Sequence, residues 1–357
     1  MNKTAGGVNL PVLRSHNAAL VLDLLRAAGE GGISRLELAE GTGLTPQGVS
    51  KITARLREGG LVAEAGRLAS TGGKPRTLLR LVQSAGHAVG VHLDRDELTT
   101  VLLDLAGTLV ASRTVPLDLG AGAETVLKTV TAEVAAVPAA GRVLGVGVAM
   151  PGPLDHTAGV PQRVTGFPAW DGFPLRDALT ERLGLPVVLD KDTNAAALGL
   201  ALRGPGDSFA YLHLGTGLGA GLVLGGALYR GARTGAGEFG HQVIQLGGPE
   251  CNCGRRGCIE ALCLAAVGHG DLERAAGVLG IGAANLVELL DIDRVLLGGR
   301  VVTAAAEPFV RGVGERVRIP VVLAEGGAHV VAEGAAQLVL APVFGRAEAS
   351  PAGVKIR

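Results

Sequence analysis

Three of the four cysteines in this chain lie in one short run, Cys-Asn-Cys-Gly-Arg-Arg-Gly-Cys, at Cys251, Cys253 and Cys258. Where thiols stay reduced, such close spacing favours metal binding over a disulfide. Three thiolates and one imidazole suit tetrahedral zinc, and a four-thiolate site that includes Cys263 is the alternative. Cys263 falls on a helix predicted after Glu260, where a small buried residue is the simpler interpretation. Because protein side chains would fill all four positions, the predicted zinc site is structural.

The N-terminal segment has the start signals of two successive helices. The run Ser-Arg-Leu-Glu at 34–37 is a capping box, in which Ser34 and Glu37 each bond the other's backbone N–H. Thr45 and Pro46 suit the N-cap and the first position of the next helix. Helix, tight glycine-containing turn and helix are typical of a helix-turn-helix, whose second helix enters the major groove of DNA.

The second of these helices has two different faces. Val49, Ile52 and Leu56 recur at helical spacing and form an apolar stripe for the core. The other face presents polar and basic side chains suited to base edges and phosphates. They are Gln47, Ser50, Lys51, Thr53 and Arg55. The alternative interpretation is a small helical bundle with a solvated basic face.

Residues 61–82 predict two strands joined by the loop Ser-Thr-Gly-Gly-Lys-Pro-Arg. This loop would form a wing, from which Lys74 and Arg76 contact phosphates or a minor groove. Residues 1–85 contain 11 lysines and arginines against 6 acidic residues, whereas the rest of the chain contains 22 against 27. A basic N-terminal segment followed by a mildly acidic body predicts an anionic partner, here double-stranded DNA.

Length and composition predict two or three globular domains. The chain has 357 residues, of which 47% are hydrophobic and 18% charged, so it can bury a sizeable core. We expect no apolar run long enough to span a bilayer, and the N-terminus lacks the apolar segment of a signal peptide. The sequence therefore predicts a cytoplasmic protein with no membrane partner.

The pattern changes at Gly86 to apolar strands, helices and glycine-rich turns, which is typical of an α/β protein. A meander of strands opens this part of the chain, and a second set of strands opens at Phe209. Two α/β units in one chain predict a two-lobed body with a ligand cleft between the lobes.

Five motifs in the body resemble those of the ROK family of repressors and sugar kinases. They are Gly-Thr-Gly-Leu-Gly-Ala-Gly at 215–221, Gly-Glu-Phe-Gly-His at 237–241, Cys-Asn-Cys-Gly-Arg-Arg-Gly-Cys-Ile-Glu at 251–260, Asp-Thr-Asn-Ala-Ala-Ala-Leu-Gly at 192–199 and Val-Leu-Leu-Gly-Gly at 295–299. The resemblance spans almost the whole chain. It implies an α/β fold with an N-terminal winged helix-turn-helix followed by a two-lobed, actin-like ATPase body.

The resemblance also implies a division of the chain into three units. The winged helix-turn-helix takes residues 1–83, a small α/β lobe takes 84–200, and a large α/β lobe with the zinc site takes 201–329. A C-terminal helix at about 330–346 is expected to pack back onto the small lobe.

The family pattern assigns residues to two sites. It implies His241 as the fourth metal ligand, beside the three cysteines at 251, 253 and 258. It also implies that Glu238, His241 and Glu260 bond the hydroxyls of a sugar, since charged acceptors suit several O–H donors.

Asp192 matches the catalytic base of the family's kinases, which takes the proton of the attacking sugar hydroxyl. The resemblance implies that Asp192 contacts the sugar and that Asn194 supports it. The residue before this aspartate is usually an asparagine that contacts the sugar. Here it is Lys191, which leaves the identity of the sugar open.

A kinase of this fold needs a first phosphate loop of the form Asp-x-Gly-Gly-Thr. This chain has His92 in place of the aspartate, and Asp94 and Arg95 in place of the two glycines. Carboxylates there would repel a polyphosphate, and the side chains would fill its space, so we do not expect ATP and Mg²⁺ as cofactors. The second loop survives as a remnant, at Gly215, Thr216, Gly217 and Gly219.

These observations predict a sugar-responsive transcriptional repressor with a degenerate kinase-like body. It would bind a pseudo-palindromic operator as a homodimer or a dimer of dimers. The first alternative is an ATP-dependent sugar kinase that retains a DNA-binding head, with Asp192 as catalytic base. The second is a constitutive DNA-binding protein whose body serves only for dimerisation.

Overall fold

The structure, a computed structural model, describes residues 16–68, 76–164, 166–204 and 207–346. In these ranges the strands form a three-stranded sheet, two five-stranded sheets and a two-stranded ribbon. Helices cover the sheets, so the mixed α/β architecture expected from the sequence is confirmed.

Within residues 16–68 and 76–82, the N-terminal unit contains three α-helices and three strands. They are α1 (His16–Ala28), β1 (Ile33–Ser34), α2 (Arg35–Thr42), α3 (Pro46–Glu58), β2 (Val62–Leu68) and β3 (Arg76–Leu81). The capping box is confirmed, because Glu37 N–H donates to the Ser34 hydroxyl at 3.4 Å and Ser34 N–H donates to the Glu37 carboxylate at 2.9 Å. The strand β1 pairs with β3 and was not predicted, since two residues give no periodic signal.

Thr45 caps α3 as predicted, because Gly48 N–H donates to its hydroxyl at 3.2 Å. The prediction that Thr53 faces solvent is wrong. Thr53 is fully buried, and its hydroxyl donates to the Ser50 carbonyl at 3.2 Å and accepts from Arg35 Nε at 3.3 Å. Its position beside Ile52 turns it toward α2, and those two bonds satisfy the hydroxyl there.

The first lobe of the body is built on the sheet order β10-β7-β4-β5-β6. Its elements are β4 (Gly86–Leu93), β5 (Glu97–Asp104), β6 (Leu109–Pro116), α4 (Ala123–Ala135), β7 (Arg142–Met150), β8 (Leu154–Asp155), β9 (Val160–Pro161), α5 (Leu175–Leu183), β10 (Val187–Lys191) and α6 (Asp192–Arg203). Strands β4, β5 and β6 form an antiparallel meander, and β7 and β10 continue the sheet in parallel from β4.

The second lobe repeats this topology in the order β13-β12-β11-β14-β15. Its elements are β11 (Phe209–Leu214), β12 (Leu218–Leu224), β13 (Ala227–Leu228), α7 (Ile259–Gly268), α8 (Leu272–Leu290), β14 (Arg294–Gly298), α9 (Arg300–Ala304), α10 (Ala306–Gly314) and β15 (Val321–Leu323). Here too an antiparallel meander is followed by two parallel strands. Residues of both lobes line a cleft between them.

The last helix, α11 (Val330–Leu340), packs on β4, β7 and α6 of the first lobe. Glycines permit this close contact. A Cβ atom added to Gly147 would lie 1.8 Å from the Ala335 carbonyl oxygen, and one added to Gly90 would lie 1.9 Å from that of Ala332. The helix can therefore lie directly on the backbone of the sheet.

The expectation that no run is long and apolar enough to cross a membrane needs a correction. Residues 327–344 meet that criterion by length and hydropathy. The same segment is 67% buried inside the protein, against the first lobe. Its apolar character is that of a core helix, since both its faces contact protein.

The N-terminal unit and the first lobe share one hydrophobic core. Leu22, Leu25 and Leu56 of the N-terminal unit belong to the same buried cluster as Leu103 and Phe344. The Arg26 guanidinium also lies 4.6 Å from the centre of the Phe344 ring. The N-terminal unit is thus packed firmly on the body.

Candidate ligand cleft and metal centre

A cleft lies between the two lobes. Asp192, Glu238, His241 and Glu260 all line it. They come from different elements, namely the start of α6, the short turn at 238–241 and the first turn of α7. The structure therefore brings together four of the five residues that the sequence assigned to a sugar site, and Thr216, Gly217 and Gly219 border the same space.

Asp192 is the first residue of α6, at the end of the parallel strand β10. Its Oδ1 accepts the Thr193 N–H at 2.6 Å. Burial raises the pKa of Asp192 to about 7, because the charged form is poorly solvated there. This carboxyl group can therefore donate or accept a hydrogen bond near neutral pH.

Lys191 places an ammonium group in the wall of the cleft. Its side chain is 3% exposed, and Nζ donates to Glu238 Oε1 at 2.8 Å and to the Ala236 carbonyl at 2.7 Å. The bond crosses from the first lobe to the second. Glu238, expected to accept sugar hydroxyls, is therefore already paired with a cation of the protein.

Asn194 does not line the cleft. It is fully buried behind Lys191 and donates from Nδ2 to Asp190 Oδ1 at 2.9 Å. Asp190 also accepts the Lys191 N–H at 2.8 Å and forms an ion pair with Arg230 at 2.6 Å. Sequence reasoning missed Asp190 and Arg230, and the only signal was an acidic residue on each side of Lys191.

Glu260 connects the cleft to the cysteine loop. Its carboxylate accepts the Leu218 N–H at 2.8 Å and the Cys251 thiol at 3.8 Å. Leu218 follows the glycine loop, in which Gly215 N–H donates to the Gly217 carbonyl at 2.9 Å. The glycine loop is thus a tight turn held by Glu260, and Gly215 itself does not border the cleft.

His241, Cys251, Cys253 and Cys258 form one cluster whose candidate ligand atoms all lie within 4.8 Å of one another. Cys253 and Cys258 Sγ are 3.7 Å apart, and Cys251 Sγ is 3.6 Å from His241 Nδ1. This cluster could hold a metal ion. Cys263 lies apart from it, in the core of α7, where its thiol donates to the Ala275 carbonyl at 3.5 Å.

The turn between β4 and β5 occupies the place of the first phosphate loop. Asp94 Oδ1 accepts the Thr216 hydroxyl at 2.8 Å, and Asp94 Oδ2 lies 3.2 Å from Arg300 Nη2. Arg300 also pairs with Asp96. If the family pattern places a polyphosphate at this turn, the side chains of these ion pairs would occupy its space.

Two histidines lie beside this turn. The His92 and His213 rings are 6.3 Å apart, edge to face. Burial lowers the pKa of His92, and it lowers the pKa of His213 to about 4. A neutral imidazole thus stands where a Mg²⁺-binding carboxylate is required, so these residues do not fit Mg²⁺ and ATP.

The α3 surface is open to solvent at Gln47, Ser50, Lys51 and Arg55. Arg76, at the start of β3, is exposed as well. Lys74 lies outside the described residues. The polar face of α3 is thus available to a nucleic acid.

A model of the ROK family matches residues 88–268, which is half of the chain. The chain belongs to the ROK family. A model of a winged helix-turn-helix DNA-binding domain matches residues 20–63. The two matches confirm the family and the N-terminal DNA-binding unit that the sequence motifs predicted.

Relatives include both regulators and kinases. The chain is 30% identical to a putative xylose repressor of Caldicellulosiruptor sp. over 317 residues, 75% of this chain and 79% of that protein. It is 31% identical to the xylose repressor of Bacillus subtilis, over 64% of this chain and 61% of that protein, which is under two thirds of that protein's length. A glucokinase of Thermotoga maritima is 36% identical over 49% of this chain and 56% of that protein.

The fold resembles that of a solved ROK family transcriptional regulator, a homologue of the Mlc protein of Escherichia coli. The TM-score is 0.76 at 22% identity, and the match covers 94% of this chain and 98% of that one. The ROK actin-like body with an N-terminal winged helix-turn-helix is therefore confirmed as the architecture.

Proposed function

We propose that this ROK protein is a sugar-responsive, DNA-binding transcriptional repressor. The observation that carries the proposal is that Asp94 and Arg300 close the phosphate site, while the sugar-site residues of the adjoining cleft are kept. A body that has lost its nucleotide cradle but kept a sugar cleft suits a sensor better than an enzyme. Relatives that match more than half of the chain include xylose repressors and an N-acetylglucosamine repressor, which supports a sugar as effector.

We propose that DNA is bound by α3 and the wing. Gln47, Ser50, Lys51 and Arg55 would enter the major groove, and Lys74 and Arg76 would contact the backbone or the minor groove. The operator would be double-stranded and pseudo-palindromic, bound by a homodimer or a dimer of dimers in the cytoplasm.

Effector binding would act through the angle between the lobes. The N-terminal unit shares its core with the first lobe, so a movement of that lobe carries the DNA-binding helices with it. A sugar that contacts Asp192 on one lobe and Glu238, His241 and Glu260 on the other favours the closed state. Because it binds closed and open states unequally, it changes the affinity for DNA.

We propose that the cluster of His241 and three cysteines holds one structural zinc ion. Zinc–sulfur bonds of about 2.3 Å imply tetrahedral edges of about 3.8 Å, close to the 3.7 Å between Cys253 and Cys258 Sγ. When bound, zinc would cross-link the turn at 239–241 to the loop at 251–258. His241 also lines the cleft, so the metal would fix one wall of the sugar site.

The three-unit division also remains a proposal, with boundaries at 83/84 and 200/201 and a large lobe that ends at 329. It is supported by the short turn at Gln83–Ala85 between the first two units. The helix α11 would then belong to the small lobe on which it packs.

Point variants of the recognition helix test DNA binding. Lys51→Ala and Arg55→Ala are each expected to weaken operator binding by about 1–3 kcal/mol. Lys128→Ala is a matched control, because this lysine is exposed on α4 and pairs with Glu124 of the same helix. Equal losses in all three variants, or none in the first two, would refute the assignment.

A further inference from the structure

We propose that the effector is a sugar that bears an anionic group, a carboxylate or a phosphate, and that Arg95 and Lys191 receive this group. The proposal rests on the proposed function, since it names the ligand class of the same cleft. It is supported by the ion-pair and hydrogen-bond partners of Arg95 and Lys191, the two cations that line the cleft.

Arg95 is a cation without an anionic partner. Among the described residues, its guanidinium contacts only the face of the Phe167 ring, at 5.7 Å from the centroid. It lines the cleft next to the glycine loop, because a Cβ atom added to Gly217 would lie 3.5 Å from Arg95 Nη2. The guanidinium is thus positioned over the sugar site with its N–H donors free for a ligand.

The nearest carboxylates do not neutralise Arg95. Asp94 and Asp96 flank it in sequence, but both pair with Arg300 on the opposite lobe. Glu260 lies near the same face of Gly217 as Arg95, but its carboxylate accepts the Leu218 N–H and the Cys251 thiol. In the part of the chain that the structure describes, none of these carboxylates forms an ion pair with Arg95.

Lys191 adds a positive charge and N–H donors to the opposite wall of the cleft. Its ammonium has three N–H donors, of which two bind Glu238 and the Ala236 carbonyl, so one remains. Gly152 leaves room for the side chain, since a Cβ atom there would lie 2.8 Å from Lys191 Cδ. The Lys191 ammonium thus neutralises the Glu238 carboxylate, which a neutral sugar would use as a hydrogen-bond acceptor. It offers a hydrogen-bond donor instead.

The N–H donors of Arg95 and Lys191 favour an anionic group of the ligand over a neutral hydroxyl. A guanidinium forms paired, charge-assisted bonds to a carboxylate or phosphate. A half-buried arginine left without a counter-ion gains most from a ligand that supplies the charge. A neutral sugar would leave Arg95 unpaired and would compete with Lys191 for Glu238.

Calorimetric titration of the full chain tests this with matched pairs. The pairs are glucose with gluconate, glucuronate and glucose 6-phosphate, and xylose with xylonate, together with inorganic phosphate alone. We expect at least one anionic sugar to bind about 10-fold to 100-fold more tightly than its neutral parent. The carboxylate and phosphate arms identify which anion is used.

Two variants test which residues cause the preference for an anionic sugar. Arg95→Ala is expected to remove the preference for the anion, and Lys191→Asn to strengthen binding of the neutral sugar. Arg113→Ala is the control, because this exposed arginine pairs with Glu133 on the outer face of the small lobe. Tighter binding of a neutral parent by the unaltered protein, an anion preference that survives Arg95→Ala, or no binding of any anion overturns the proposal.

Operator binding is measured on the same samples. Failure to bind an operator while the anion preference is present contradicts the repressor function but not the ligand class. Operator binding that responds to a neutral sugar alone contradicts the ligand class but not the repressor function.

Discussion

Arg300 and Asp94 form an ion pair of 3.2 Å between the two lobes, at the site of the missing phosphate loop. Thr216 of the surviving glycine loop donates to the same carboxylate. The two lobes are thus joined at this point by side chains of the protein itself.

Removal of this bridge should destabilise the protein without creating a kinase. Arg300→Ala leaves the buried Asp94 carboxylate without its cation, so we expect a loss of about 1–3 kcal/mol in the free energy of unfolding. Arg311→Ala, which breaks exposed pairs with Glu273 and Glu307, should cost less than about 1 kcal/mol. Urea unfolding of both variants measures the difference.

A coupled ADP assay with a panel of hexoses and ATP should show no turnover in the unaltered protein. Turnover that disappears in Asp192→Asn would contradict the account and favour the kinase alternative, with Asp192 as its base.

Purified protein should contain about one zinc ion per chain by elemental analysis. Cys253→Ser and Cys258→Ser should lose the metal and lower the melting temperature, because the ion links two loops. Cys263→Ser should keep the metal, since this thiol bonds the Ala275 carbonyl in the helix core. Full metal content in Cys258→Ser, or its loss in Cys263→Ser, would point to a different ligand set.

Asp192 should make stability depend on pH. Burial raises its pKa from 3.8 to about 7, so the folded protein holds this proton over a range in which the unfolded chain has lost it. Its contribution to stability therefore falls as pH rises from about 4 to about 7, and is constant above that range. Asp192→Asn removes this pH-dependent loss of stability.

We expect the melting temperature of Asp192→Asn to exceed that of the unaltered protein by several degrees at pH 8, with the difference shrinking toward pH 4. Asp177→Asn is the control, because that carboxylate is 68% exposed. A difference that stays constant over the whole pH range would mean that Asp192 ionises normally.

The contact between α11 and the first sheet should not tolerate a methyl group. Gly147→Ala would place Cβ 1.8 Å from the Ala335 carbonyl oxygen, so the helix must move, at a cost of about 1–3 kcal/mol or more. Gly268→Ala, in the last turn of α7, meets no atom within 4 Å and should be neutral or slightly stabilising. Thermal unfolding compares the two, and equal melting temperatures would contradict the packing described.

Local signals predicted local structure well. The capping box at Ser34 and the proline at the start of α3 mark helix ends through bonds between residues three apart, so they can be recognised in the sequence. The cluster of cysteines and His241 was predictable for a related reason, since its three cysteines lie within one loop. The family motifs then added His241, ten residues before Cys251.

Contacts between the lobes could not be predicted. Lys191 and Glu238 are 47 residues apart, and Asp94 and Arg300 are 206 apart. Each pair depends on how two separate sheets face each other, which no local pattern encodes. The sequence showed that Lys191 was unusual at its position, but not that its ammonium would pair with a residue of the sugar site.

The central claim is best tested by fluorescence anisotropy with DNA from just upstream of the protein's own gene, at a stated salt concentration. Titrations are run without ligand and with neutral and anionic sugars. The account predicts tight, sequence-specific binding that one sugar changes. Specific binding that ignores every sugar would contradict the sensor role and favour a dimerisation scaffold, and the absence of specific binding would contradict the repressor function itself.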